Sequence, residues 1–371
     1  MKKIIFLALL LAISLLGLLL FFTRKQENTN MTRSTETYHF PAEDLKHEGT
    51  WLTWPHAHTY GQEYADELEN IWIQMAKALA PGEKVHILAY DENLKAHILN
   101  TLENEGVDLK QIDIVLAKSD DTWARDTGPM FVKDQEGQLK IVDFAFDGWG
   151  KKTPYKHDDA IAQVVAKDKD FPLIDVSSFV LEGGSVEMDG HGTLLATKSS
   201  VISKNRNPKM SQAEAESYLK TYLGATNIIW LDGVTDEDIT DAHIDGFARF
   251  YDKETLLTVP ESDFFDLYEG IKESDYDILL SAKNADGKTY KIEEIPLTKE
   301  NVQNLDYKGS YLNFYIGNEV LLLPIYGDEN DQVAIEKMEK LYPSRRIVPI
   351  NVVNLYKHGG MIHCVTQQQP L

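Results

Sequence analysis

Cysteine is nearly absent: Cys364 is the only one among 371 residues, and it stands close to the end of the chain. A lone cysteine cannot close an internal disulfide, which leaves inert core filler or a nucleophile. Positive charge is also short, with 37 Lys+Arg against 59 Asp+Glu and a formal net charge of −22. Such a surface repels nucleic acid and attracts small cations, although a solvated acidic surface explains the count equally well. Metal-ligand spacing is missing too. His56 and His58 follow Trp51-Leu52-Thr53-Trp54-Pro55, but no cysteine or carboxylate–histidine set accompanies them, so they read as loop histidines. No cofactor is called for. What remains is ordinary for a globular protein: 43% hydrophobic and 10% aromatic residues.

The N-terminus is a separate object. Residues 4–22 carry no charge and are flanked by Lys2, Lys3, Arg24 and Lys25. The run is long for a signal-peptide core of roughly 7–15 residues and close to the ~20 that a spanning helix needs. Residues 1–25 are therefore expected to be a membrane anchor, or failing that a cleaved signal, followed by a polar tether over 26–38. Either reading places a catalytic domain, 39–371, outside the cytoplasm.

Within that domain, Leu68, Ile71, Trp72, Met75 and Leu79 share one side of a helix predicted over 63–80. A strand over 85–90, a helix over 92–105 and a strand over 112–117 follow. The pattern returns as a helix over 211–223 with a strand over 227–231, and as a strand over 320–325, a helix over 331–341 and a strand over 347–350. Recurring units of this kind suggest an α/β architecture repeated around an axis, without residue-level periodicity.

Four polar stretches do not fit plain scaffolding. Ser119-Asp120-Asp121-Thr122-Trp123-Ala124-Arg125-Asp126-Thr127-Gly128-Pro129 follows a strand, where ligand residues concentrate; its bland reading is a capped turn with an Arg125–Asp126 surface interaction. Glu182 precedes Gly183-Gly184 after an apolar run, so its carboxylate is expected to be buried and to need a partner. Asp189-Gly190 beyond it reads as a hairpin turn. The loop from Lys204 to Pro208 reads as a connector. Alternation along Asp241-Ala242-His243-Ile244-Asp245-Gly246-Phe247-Ala248-Arg249-Phe250 places His243, Asp245, Phe247 and Arg249 on one strand face. The same alternation puts Ile362 and Cys364 on one face and His363 on the other, which makes His243 the better partner for sulfur. The amides Gln367, Gln368 and Gln369 are odd packing for a core strand.

A cysteine, a histidine and one carboxylate would suit an amidase, with the acid orienting the histidine. Two further carboxylates would repel a developing oxyanion. They suit a reacting carbon that sits inside a cation, and guanidinium is planar, always charged and able to take a carboxylate along each edge.

Trp123-Ala-Arg-Asp126-Thr-Gly-Pro129, Glu182-Gly-Gly184, His243-Ile-Asp245-Gly-Phe-Ala-Arg-Phe250 and Gly359-Gly-Met-Ile-His-Cys364-Val-Thr-Gln-Gln-Gln-Pro370 together resemble the agmatine deiminase family, which also holds the Porphyromonas-type peptidyl-arginine deiminases. The resemblance implies the pentein fold, a five-bladed α/β propeller of ββαβ repeats, with a homodimer as a plausible assembly. It implies hydrolysis of agmatine to N-carbamoylputrescine and ammonia, the alternatives being a peptidyl-arginine deiminase or a silent binder of cations. Cys364 would attack the guanidinium carbon, and His243 would first protonate departing ammonia and then activate water. Glu182 would orient His243 and raise its pKa, while the imidazolium would lower that of Cys364. Asp126 and Asp245 would clamp the guanidinium, Trp123 would wall the alkyl chain, and Gly359, Gly360 and Thr366 would shape the turn that presents sulfur. The chain departs from the family at Gly246, where many agmatine deiminases have asparagine, and this alters the pocket beyond the clamp.

Overall fold

A computed structural model describes residues 36–371. The stretch read as an anchor lies outside them, as does most of the tether. No helix among the described residues is long and apolar enough to cross a membrane.

The chain builds small mixed sheets one after another. The first holds β1 (His47–Thr53), β2 (Lys84–Ala89) and β3 (Ile112–Leu116), parallel in that order. Helix α1 (Gln62–Leu79) joins β1 to β2, and α2 (Glu92–Asn104) joins β2 to β3. Parallel neighbours need such crossovers, because a tight turn can only reverse a strand. Next come β4 (Met130–Lys133), β5 (Leu139–Ala145), helix α3 (Ile161–Lys169) and β6 (Leu173–Val180): an antiparallel hairpin, then a crossover to a parallel strand. The arrangement recurs with β7 (Val186–Met188), β8 (Thr193–Thr197), α4 (Gln212–Tyr222) and β9 (Asn227–Leu231). It recurs with β10 (Ala248–Asp252), β11 (Thr255–Thr258), α5 (Glu273–Ser281) and β12 (Lys291–Glu294). A last copy uses β13 (Tyr315–Ile316), β14 (Val320–Ile325), α6 (Asn330–Leu341) and β15 (Arg346–Asn351). Finally β16 (Gln367–Pro370) returns to pair antiparallel with β1, so the two ends of the described chain share the first sheet.

The helices form for the reasons their sequences give. Leu68, Ile71, Trp72, Met75 and Leu79 of α1 are all buried, as helical spacing requires. Asp91 caps α2 by accepting from the Leu94 amide at 2.9 Å. Ser211 opens α4 with a reciprocal capping box to Glu214.

Two predicted strands begin later than expected. Ile244–Gly246 is a 3-10 turn, and β10 begins only at Ala248, so His243, Asp245 and Arg249 are not placed by alternation along one strand. Cys364 also lies in a 3-10 turn, His363–Val365, with the strand starting three residues after the cysteine. Both sites sit just off a strand end, where the ladder no longer fixes side-chain direction and local turns can aim a group. The glutamines thought odd for a core strand are that strand, and their amides have buried partners in Arg125 and Trp51.

Candidate active site

Four loop or turn segments bring the predicted residues together. Trp123 caps the short helix Ala124–Thr127 that leads into β4 and carries Asp126. Glu182 precedes the 3-10 turn Gly183–Ser185. His243 and Asp245 flank and occupy the turn before β10, and Cys364 occupies the turn before β16.

Two glycines make this convergence possible. A Cβ on Gly184 would lie 2.4 Å from His243 Nδ1 and 3.0 Å from Asp126 Oδ1. One on Gly360 would lie 2.4 Å from Trp123 Cζ3 and 3.1 Å from the Cys364 Cβ. Only a bare backbone lets the acid, the imidazole, the indole and the thiol approach so closely. By contrast a Cβ on Gly246 would meet nothing nearer than the Tyr268 hydroxyl, at 3.7 Å. A Cβ at Gly246 would therefore fit in ordinary contact with Tyr268, so no close approach requires the glycine there.

Glu182 is fully buried and His243 nearly so. His243 Nε2 lies 3.3 Å from Glu182 Oε2, and its Nδ1 lies 3.8 Å from Asp126 Oδ1. Burial alone would lower the imidazole pKa, but Asp126, Glu182 and Asp245 together carry it up to about 9. At neutral pH the ring is a cation. Glu182 needs its own counter-charge and has one: Arg206 Nε donates to Oε1 at 2.6 Å, and the Ser185 hydroxyl donates to Oε2 at 3.0 Å. Burial pushes Glu182 up, yet Arg206 and His243 hold it below its ordinary value. Arg206 also pairs with Asp241 at 3.0 Å. The 204–208 loop is thus more than a connector; a basic residue in an aperiodic loop gives no sequence signal of the buried acid it meets.

Asp126 has no guanidinium beside it. It accepts from the Gly184 amide at 2.9 Å and the Trp149 indole at 3.0 Å. Burial pushes its pKa up, and His243 only partly offsets that. Asp245 differs. Burial pushes it up, but the hydrogen bond from His363 Nδ1, at 2.8 Å, brings it below its ordinary value. Arg125 is not paired with Asp126 at the surface. Its guanidinium is buried and reaches Gln367, Gln368 and Glu43.

Cys364 is half-buried. The Asn313 side chain, which the sequence reading missed, accepts from Sγ at 3.3 Å and from the His363 amide at 3.0 Å. The Thr366 hydroxyl closes the turn onto the carbonyls of Ile362 and His363 at 3.0 and 3.1 Å. The imidazolium was expected to lower the thiol pKa, and here the expectation fails. Burial first, and then the Asp245 and Asp126 carboxylates, push it well above the ordinary value. Among the described residues there is no cluster of three or more side chains suited to a metal ion.

Such a group suits a small planar cation held between Asp126 and Asp245, with sulfur and imidazole to hand. Comparisons with known proteins point the same way. A Mycoplasma capricolum protein provisionally named agmatine deiminase is 32% identical over 365 residues, covering 92% of this chain and 98% of its own. The crystal structure of a Porphyromonas gingivalis protein provisionally named arginine deiminase superposes with a TM-score of 0.80 at 32% identity, covering 90% of this chain and 98% of that one. The agmatine deiminase of Enterococcus faecalis, in a structure described as catalysing its reaction, superposes with a TM-score of 0.80 at 27% identity, covering 90% and 96%. The α/β fold described above is the fold of these structures. The sequence profile of the Porphyromonas-type peptidyl-arginine deiminases matches residues 39–370, and the chain belongs to that family.

Proposed function

We propose that this chain hydrolyses agmatine to N-carbamoylputrescine and ammonia through a covalent intermediate on Cys364. The observation that carries the reading is the pair of buried carboxylates, Asp126 and Asp245, both acting on the half-buried Cys364 thiol. Burial and these two carboxylates keep the thiol protonated; a guanidinium clamped between them cancels the carboxylate part, so the thiol loses its proton to solvent on substrate binding and becomes the nucleophile. The thiolate adds to the guanidinium carbon, forming the C–S bond. His243, a cation in the free enzyme, gives its proton to one substrate nitrogen, and ammonia leaves with the C–N bond pair. The neutral imidazole then takes a proton from water and hydroxide adds to the thiouronium carbon; the C–S bond breaks with its electron pair going to sulfur, which takes up the hydroxyl proton, leaving the ureido product and the free thiol. Glu182 holds His243, and Trp123 walls the alkyl chain. A pseudo-fivefold arrangement of the five sheets about this site fits the reading, since it would bring the loop ends to one axis.

Peptidyl-arginine is the second reading, favoured by the missing side chain at Gly246, next to Asp245. Ammonia release across agmatine, free arginine and C-terminal-arginine peptides separates the two. Cys364→Ser should lower kcat by at least about a thousandfold with little change in agmatine binding. A normal rate in Cys364→Ser, or no ammonia from any guanidine, would sink the reading.

We further infer that residues 4–22 anchor the chain in a membrane, with the catalytic unit on the exported side. Full-length protein should stay with membranes after alkaline carbonate washing, whereas a chain beginning at residue 36 should not. Release of the full-length chain would count against the anchor.

A further inference from the structure

Three carboxylates crowd His243, and each meets the cost of burial differently. Glu182 has Arg206. Asp126 has only the imidazole 3.8 Å away and two neutral donors, and its pKa rises. Asp245 has a hydrogen-bond partner of its own in His363, the residue next to the nucleophile. His363 is 1% exposed, and its two ring nitrogens each face a carboxylate: Nδ1 to Asp245 Oδ2 and Nε2 to Glu43 Oε2, both at 2.8 Å. A carboxylate only accepts, so each contact holds one proton, and the ring supplies both when the two acids are ionised. Glu43 is fixed in turn by Arg249 at 3.1 Å, Arg125 at 3.3 Å and the Ile316 amide at 2.9 Å. Arg249 continues to Glu187 at 2.8 Å. The buried chain thus sets Asp245, Glu43 and Glu187 against His363, Arg125 and Arg249, with His243 and Asp126 beyond Asp245.

We propose that His363 and Glu43 are positioning residues for Asp245, fixing its carboxylate in one orientation and in anionic form before substrate arrives. The inference rests on the guanidine-hydrolase reading above and adds to it the two groups that make one clamp ready in advance. Asp245 sits in a 3-10 turn, where no strand ladder aims its side chain. Its Oδ2 is held by His363, which leaves Oδ1 for an edge of the cation. The His363 backbone is itself tied down, its amide lying 3.0 Å from both the Asn313 side-chain oxygen and the Asn313 carbonyl. One residue therefore couples the clamp to the turn that carries sulfur. A preset acceptor avoids reorganisation when the ligand binds.

Two alkylating reagents test this in the full chain. The cationic 2-chloroacetamidine needs the clamp to reach Cys364, whereas neutral iodoacetamide reports only the thiol. Wild-type protein, Glu43→Gln and His363→Gln are compared for both inactivation rates, for kcat and KM with agmatine, and for Tm. In the variants the amidine rate should fall by about tenfold or more while the iodoacetamide rate holds or rises. KM should rise more than kcat falls. In His363→Gln the acid limb of kcat/KM should move to higher pH, as Asp245 loses the hydrogen bond that holds its pKa down. Should His363→Gln fail to fold, the near-isosteric Glu43→Gln carries the test. An unchanged ratio of the two rates, whether both hold or both fall together, would overturn the inference. A wild-type enzyme with no preference for the cationic reagent would overturn the guanidine reading first, and this inference with it.

Discussion

At the scale of single residues, the site is a set of charges that only make sense together. Cys364, His243, Glu182, Asp126 and Asp245 were legible because each has a chemistry that scaffolding does not need. Arg206, Asn313 and Glu43 were not, because their partners lie 24 to 320 residues away in sequence and no local spacing announces them. Glu182 offers a direct test of the electrostatics. Its partner His243 has a folded-state pKa of about 9, above the ordinary 6.5. A histidine with a raised pKa contributes stability that is fully present below pH 6.5 and is lost as the pH climbs through about 9. Glu182→Gln removes one of the negative charges that sustain the shift. The alkaline limb of kcat/KM should move to lower pH, and the loss of stability on the alkaline side should begin earlier. Arg206 would then face a neutral amide while keeping Asp241, so Tm should fall at every pH. An alkaline limb that stays in place would show that Glu182 does not set the charge of His243.

Element by element, regular structure was the legible part. The predicted helix over 63–80 and strand over 85–90 appear at Gln62–Leu79 and Lys84–Ala89, because apolar periodicity encodes which side is buried. The site turns were misread as strands for the same reason in reverse: short alternating runs mimic β-structure even where the backbone coils into a 3-10 turn. Gly360 tests whether the Cys364 turn is as tightly packed as it looks. In Gly360→Ala the added methyl would strike the Trp123 ring at 2.4 Å and crowd the Cys364 Cβ at 3.1 Å. Either the indole or the sulfur-bearing turn must shift. Overpacking costs about 1–3 kcal/mol, so the protein should still fold. A displacement near 1 Å at the reacting atoms should lower kcat/KM by roughly a hundredfold. Steady-state kinetics beside a thermal melt checks this, and wild-type kcat/KM in the variant would show that Trp123 and the turn can part without consequence.

For the whole molecule, the last strand does two jobs that chain order hides. It closes the first sheet against β1, in a register pairing His47 with Pro370 and Trp51 with Gln367. It also gives Arg125 two of its acceptors, Gln367 at 2.9 Å and Gln368 at 2.8 Å, while the Trp51 indole donates to Gln369 at 2.9 Å. Arg125 in turn donates to the His363 carbonyl at 3.3 Å and reaches Glu43, so the seam of the fold and the sulfur-bearing turn share one guanidinium. Removing residues 367–371 would expose the edge of β1, strand the buried Trp51 donor and leave Arg125 short of acceptors. Each buried polar group left unsatisfied costs about 1–3 kcal/mol, and more for a charged one. Set against a total stability of only about 5–15 kcal/mol, several such losses at once should abolish folding or lower Tm by more than about 10 °C. The milder Gln367→Leu with Gln368→Leu keeps the strand and removes only the two acceptors. It should destabilise less, yet still lower kcat through Arg125 and the His363 turn. Circular dichroism melts and ammonia-release rates on both variants decide the matter. If the truncated chain melts like the full one, the seam is not where this fold is held.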